Sequence, residues 1–282
     1  MDASLDKVHS GDRSLDHALC SVCRSGSLQP MPFYYMWRGR RWSILRCMVC
    51  AHEFVNPRIT RVEQDVIYSD PYFTAGGDWV EGVWPLGYIE AEKTLRREAA
   101  EVLDMLPRHD GRLLEVGCAG GFFLDEARKR GFVVEGIELN AKMVSHARLA
   151  LGLPVIQARI EDIEHDRFPN NCHVIVLMDV IEHIPDPYAF FHKACQWLTP
   201  DGCVLIRGPL HNDPIARAKE EIRRALWIEK QLPGYPLDVN LFTKKSLTRL
   251  LRQFGFGDFV WINETRGFAN VLARRIEILA AH

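Results

Sequence analysis

Hydrophobic positions change rhythm along this chain. From residue 112 onward, short apolar runs alternate with stretches of helical period. The pattern predicts strands near 112–116, 133–138, 153–157, 173–178 and 202–207, with helices between most of them. One helix starts after a run of glycines and ends at Gly131, a second is capped by Asn140, and a third covers about 187–198. Before the first strand, Leu95, Ala99, Val102, Leu103 and Leu106 form the stripe of a helix over 88–106 that Pro107 ends. After the fifth strand, residues 209–241 interrupt the alternation. There Asp213-Pro214 predicts a cap and first turn, with Ile215, Ala218, Ile222, Ala225 and Leu226 at helical spacing. A further helix is capped by Thr243, stapled by Phe242 and Leu247 and closed by Gly255. Residues 256–262 and 268–275 predict two more strands. The fold class expected is α/β, with a doubly wound, mostly parallel sheet.

The N-terminal part reads differently. Residues 1–16 predict a polar, flexible tail, and 17–60 carry two knuckles, Cys20-x-x-Cys23 and Cys47-x-x-Cys50. Paired knuckles at this spacing suit a tetrahedral four-thiolate zinc site, with a redox pair as the alternative. Between them, PFYYMWRGRRWSILRC predicts a β-hairpin around Arg38-Gly39-Arg40. A ribbon this small has little core, and a metal would supply the missing stability. His17 and His52 lie close by and are expected at the surface rather than as substitute ligands. Residues 61–106 form a lid and linker helix; the lid holds Tyr68, Tyr72, Phe73, Trp79, Trp84 and Tyr88. Residues 107–282 would be the core, with 209–241 as its insertion.

Bulk composition narrows the class. The 282 residues are 47% hydrophobic and 26% charged, and the net charge of −2 gives no general pull toward nucleic acid or anionic lipid. No apolar run approaches the roughly 18 residues of a membrane span. The polar, acidic start MDASLDKVHSGDRSLDHALC does not read as a secretory signal. A cytoplasmic protein with reduced cysteines is expected.

The stretch LLEVGCAGGFF, residues 113–123, runs from strand through glycines into helix. A dinucleotide fingerprint needs G-x-G-x-x-G. From Gly117 this chain reads G-C-A-G-G-F, with Ala119 and Phe122 at two of the glycine positions. Glu115 also places a carboxylate where a pyrophosphate would be repelled and a cation drawn in. Glu138, ending the second strand, can accept two ribose hydroxyls, as it could in either kind of site.

Glu115-x-Gly117-x-Ala119-x-Gly121 resembles the E-x-G-x-G-x-G signature of class I S-adenosylmethionine-dependent methyltransferases, with alanine at the middle glycine. Other segments extend the resemblance from residue 20 to about 260. ARIEDI (158–163) resembles the adenine-edge segment and LMDVIEHIPDP (177–187) the stretch after the fourth strand. LTPDGCVLIRGP resembles the fifth-strand region. VNLFTKKSLTRLLRQFGF resembles a downstream segment, without the histidine expected before Asn240-Leu241-Phe242. The knuckles, FVNPR and a Tyr-Phe pair are similar to a bacterial subgroup with a zinc ribbon ahead of a Rossmann-like methyltransferase core. The resemblance implies S-adenosylmethionine held by Glu115, Gly117, Ala119, Gly121, Glu138, Leu139, Ile160, Glu161 and Asp179, with Asp162 beside them. It also implies zinc on Cys20, Cys23, Cys47 and Cys50.

His183 is the expected general base and His211 the second choice, both following strand ends; the alternative is that His183 only orients its loop. Asp179, Glu182 and His183 at i, i+3, i+4 would face one way on a helical turn. That spacing resembles a metal site of ubiquinone-pathway O-methyltransferases and admits an optional Mg²⁺. The expected function is methylation, on oxygen, of a small molecule or saccharide. The alternative recruits RNA or protein through the ribbon, using Arg38, Arg40, Arg41, Arg46, Arg58 and Arg61 with Trp37 and Trp42.

Overall fold

The computed structural model describes residues 18–73, 87–107, 109–262 and 268–276. The expected tail, His17, Trp79 and Trp84 lie outside them. The ribbon opens with β1 (Leu28–Trp37) and β2 (Arg40–Cys47), an antiparallel hairpin turning at Arg38-Gly39, followed by β3 (Glu53–Asn56). Helix α1 (Arg61–Ile67) was expected only as lid. Its capping box was legible in Thr60-x-x-Glu63: the Thr60 side chain accepts from Glu63 N, and Glu63 accepts from the Thr60 backbone.

Helix α2 (Glu92–Leu103) is shorter than its apolar stripe predicts. Strand β4 (Arg112–Val116), helix α3 (Phe122–Lys129), strand β5 (Val133–Glu138), helix α4 (Ala141–Leu149) and strand β6 (Val155–Gln157) follow. Asn140 caps α4 as expected, accepting from Met143 N at 3.0 Å. Strand β7 (Cys172–Met178), helix α5 (Pro187–Trp197) and β8 (Leu198–Pro209) complete the alternation. Helix α6 (Pro214–Ala225), capped by Asp213, leads to two short strands, β9 (Lys230–Gln231) and β10 (Asn240–Leu241). Helix α7 (Lys244–Arg252), capped by Thr243, precedes β11 (Phe256–Ile262) and β12 (Phe268–Arg275).

Among the described residues, seven strands form one sheet in the order β11-β12-β8-β7-β4-β5-β6. The pairs from β8 through β6 are parallel; β12 runs antiparallel to both β8 and β11. Strand side chains alternate between the two faces, and each face carries its own helices. Leu114, Ile175, Leu177, Val204 and Ile206 pack with Phe190, Phe191 and Trp197 of α5 and Leu247 and Leu250 of α7. Leu113, Val174, Val176 and Leu205 pack with α2, α3 and α4 through Val102, Leu124 and Ala147. The doubly wound α/β fold follows from this alternation.

The ribbon is not a separate bead. Its sheet takes β9 beside β1 and β10 beside β3, so residues of the insertion complete it. Cys20, Val22, Leu45, Cys47 and Phe54 share the apolar cluster on the α5/α7 face. Arg24 pairs with Asp186 at 2.8 Å, and Gln253 Nε2 donates to Val22 O at 3.0 Å.

Candidate active site

The strand order reverses between β4 and β7, and ligands of open α/β sheets bind outside the strand ends at such a point. The turn 117–121 sits there. Gly117 has φ +70°, and a Cβ built on it would lie 2.5 Å from Val180 Cγ2 of the neighbouring loop. Glycine therefore brings the two loops together. The turn is tied to the end of β5: Gly117 N and Cys118 N both donate to Ile137 O, at 2.8 and 3.1 Å. Ala119 takes φ +43°, and its N–H donates to Glu138 Oε2 at 2.8 Å. Gly121, at φ +88°, caps α3, and its missing Cβ makes room for Leu153.

A cavity of about 840 Å³ opens over this turn. Glu115, Gly117, Ala119, Glu138, Leu139, Ile160, Glu161 and Asp179 all line it; Gly121 does not, and shapes the turn from behind. Glu115 is 2% exposed, and its Oε2 has no hydrogen-bond partner among the described residues. Burial pushes its carboxyl well above the ordinary range, with the Glu138 carboxylate adding to the shift. An orphaned buried carboxylate beside a cradle too tight for a Cβ fits a cationic ligand such as S-adenosylmethionine. Glu138 accepts from Asn140 N at 2.7 Å as well as from Ala119 N, and burial raises it too. The turn carrying Ile160 and Glu161 is held by Lys193, whose Nζ donates to the carbonyls of Ile160, Glu161 and Ile163. Asp162, expected at the adenine edge, instead pairs with Arg61 at 2.5 Å, because the 3-10 turn over Ile160–Asp162 points it outward.

The other end of the cavity gathers Tyr68, Tyr72, Asp179, Glu182, His183 and Asp238. His183 Nδ1 lies 3.0 Å from Leu237 O. A carbonyl can only accept, so Nδ1 carries the proton and, in the neutral ring, Nε2 keeps its lone pair. Glu182 Oε1 is 3.8 Å from Nε2, and Asp238 Oδ1 is 3.5 Å from Nδ1. Burial, with the Asp179 and Asp238 carboxylates, pushes Glu182 well above the ordinary range. Burial likewise raises the phenols of Tyr68 and Tyr72, so they remain protonated donors near neutral pH.

The acid–Glu–His arrangement departs from expectation. Glu182, His183 and Asp238 place a ligand atom each within 4.8 Å of the others, and Asp179 is not of the set. Asp179 has φ +55°, so the chain turns sharply there instead of running helically into Glu182, and its Oδ2 faces Arg207 Nε at 3.8 Å. Asp238 comes from the insertion, a partner no local spacing reveals. His211 does not line the cavity; its amide donates to Phe242 O beside the ribbon.

In the ribbon, all four knuckle cysteines converge within 4.8 Å. Cys20 and Cys50 sulfurs are 3.5 Å apart, as are those of Cys23 and Cys47. A tetrahedral metal with bonds of about 2.3 Å needs sulfurs roughly 3.8 Å apart, so the donors fit. The Cys50 thiol beside it holds Cys20 down to about 5, while the same contact and burial push Cys50 itself up. His52 is neither ligand nor surface residue. It is fully buried, stacks on Phe54, and burial pushes it down to about 4. Most of the ribbon's arginines are also committed, Arg38 at the hairpin turn excepted. Arg40 pairs with Glu63, Arg41 with Glu229, and Arg46 with Glu53 and Glu221. Arg58 donates to the carbonyls of Leu19 and Pro185.

Comparison with known proteins gives the family. Residues 90–258 match the family described as "Methyltransferase domain". A phosphoethanolamine N-methyltransferase 3 of Arabidopsis thaliana is 31% identical over 207 residues, covering 70% of this chain and 38% of the relative. A ubiquinone biosynthesis O-methyltransferase of Erwinia tasmaniensis is 30% identical over 129 residues, 42% of this chain and 52% of the relative. The chain thus spans about half or less of these relatives' length. The structure of an S-adenosylmethionine-dependent methyltransferase from Mesorhizobium loti superposes with a TM-score of 0.50 at 20% identity, over 62% of this chain and 96% of that one, a likeness of fold. Among the described residues, no helix is long and apolar enough to cross a membrane. With the family match spanning more than half of the sequence and centred on the sheet and its glycine turn, this chain is a member of the methyltransferase-domain family.

Proposed function

We propose that this enzyme methylates a hydroxyl of a small molecule or saccharide, with His183 as general base. The carrying observation is the hydrogen bond from His183 Nδ1 to Leu237 O, which turns the unprotonated Nε2 into the cavity. The bound cofactor supplies a methyl group already activated on a sulfonium. Glu115 and the Gly117 turn would hold its cationic amino-acid end, and Glu138 its ribose. Nε2 then takes the hydroxyl proton, and Asp238, 3.5 Å from Nδ1, stabilises the imidazolium that forms. Tyr68 and Tyr72 cover the site and limit water. His183 has one free nitrogen, so base and metal ligand exclude each other. The base is favoured over Mg²⁺, a hard ion that prefers oxygen donors. Zinc is proposed for Cys20, Cys23, Cys47 and Cys50, in a reducing cytoplasm.

A second reading, N-methylation of an amine, is favoured by the lining: Glu98, Asp179, Glu182 and Asp238 outnumber the cavity's two guanidiniums, Arg159 and Arg207. A screen of S-adenosylhomocysteine release over sugars, phenols and amines separates the two. For a hydroxyl acceptor, His183→Gln should lower kcat about 10²–10⁴-fold while calorimetric cofactor affinity holds. Full turnover by that variant would remove the base.

A further inference from the structure

The segment that fixes the His183 proton belongs to the ribbon as much as to the core. Asn240 of β10 stands opposite Phe54 of β3. Just before it, Val55 N donates to Val239 O at 2.9 Å, and Val239 N donates to Glu182 O at 3.0 Å. One residue therefore bridges a ribbon strand and the turn that carries His183. Tyr235 and Val239 are buried against Trp37 and Trp42 of the hairpin, with Leu237 packed alongside. The carbonyl of Leu237 is the acceptor for His183 Nδ1.

Asn240 locks this arrangement. It is 2% exposed. Its Oδ1 accepts from Ser21 Oγ at 2.7 Å, inside the first cysteine knuckle, and from His52 Nε2 at 3.2 Å, just past the second. Its Nδ2 donates to Ile184 O at 2.7 Å, the residue after His183. A buried amide with bonds at both ends holds its partners in one geometry, and losing either end leaves buried groups unsatisfied.

We propose that Asn240 is a positioning residue for the acceptor site: it couples the four-cysteine ribbon to the His183 turn and thereby sets the imidazole tautomer. The ribbon is then a wall of the active site. Metal at the knuckles orders Ser21 and His52, these hold Asn240, and Asn240 holds Ile184 and, through the adjoining backbone, Leu237 O against Nδ1. Free of that carbonyl, the ring would divide between two tautomers, and only one presents a lone pair at Nε2. The link to catalysis rests on His183 being the base; the link to the tautomer does not.

The test uses the full chain with its metal, labelled with ¹⁵N-histidine and saturated with S-adenosylhomocysteine. In the wild type, the His183 ring nitrogens, assigned by their loss in His183→Gln, should report the proton on Nδ1. Asn240→Asp keeps the shape and the acceptor for Ser21 and His52 but removes the donor to Ile184 O. It should shift both nitrogens toward the averaged values of mixed tautomers and lower kcat at least tenfold. Metal content should stay at the wild-type level and S-adenosylhomocysteine affinity within about twofold. Ser21→Ala, a milder change, should move the nitrogens the same way by less, and covers the case in which Asn240→Asp does not fold. Unchanged His183 nitrogens in the folded variants overturn the proposal. Full activity of His183→Gln would instead sink the base while leaving the tautomer coupling intact, so the two failures are distinct.

Discussion

Replacing Gly117 with alanine tests how the glycine turn is built, and the structure separates two costs. The first is conformational. An L-residue at φ +70° is in the left-handed region, which costs alanine about 1–2 kcal/mol. The second is steric. The new Cβ would sit 2.5 Å from Val180 Cγ2, and relieving such an overlap in a packed site costs about 1–3 kcal/mol. A stiffer unfolded chain returns about 0.4–1 kcal/mol. The expected net loss is about 1–5 kcal/mol, read by urea unfolding of the cofactor-free protein. Calorimetry with S-adenosylhomocysteine should show weaker binding as well, because the cradle must shift. Val180→Ala removes Cγ2 and leaves Val180's Cβ position 3.6 Å away, an ordinary contact. In that background, Gly117→Ala should cost only the conformational part. The cycle should show a coupling of about 1–3 kcal/mol. Strict additivity, or a Gly117→Ala variant within about 0.5 kcal/mol of wild type, would refute the close approach of the two loops.

Glu115→Gln should flatten the pH dependence of stability. The unfolded chain releases this proton near 4.5, while the folded, cofactor-free chain holds it to higher pH. The folded state binds more protons across that window, so its stability falls as pH rises. Glutamine cannot ionise, and the urea midpoint should fall less between pH 5 and 8 than in wild type; an identical slope would show that Glu115 is not strained by burial. Stripping the four-cysteine site with chelator should release one metal ion per chain, lower the Tm by several degrees and loosen the cavity's acceptor end. Protein free of metal by elemental analysis but unchanged in Tm would refute a structural metal.

Local signals carried far in the sequence. Asn140, Asp213 and Thr243 cap the helices assigned to them, and each parallel strand alternates between two packed faces. The failure of G-x-G-x-x-G at Ala119 and Phe122 pointed away from a dinucleotide site, in line with the methyltransferase-domain match. What was hidden is non-local. Strands β9 and β10 are two residues each, too short for any period, and pair with strands far upstream. Asp238 meets His183 only because the ribbon holds the insertion in place. Asp179 left the expected triad because of one positive φ, which an aspartate side chain tolerates and a spacing rule ignores. His52 looked exposed beside a knuckle, yet its partner, Asn240, is 188 residues away.

The shared ribbon sheet also orders events during synthesis. The knuckles emerge first, but Ser21 and Asn240 are 219 residues apart, so the sheet cannot close until the insertion has left the ribosome. At 5–20 residues per second that is a wait of roughly 10–45 s. Throughout it, the outer edges of β1 and β3 would offer unpaired backbone groups to any passing strand. Metal captured early at the knuckles cannot cover those edges; only residues 230–241 can. The nascent chain thus carries an adhesive half-finished sheet until residues 230–241 emerge, and crowding of nascent chains or slow elongation through the core is where this protein would be lost to aggregation.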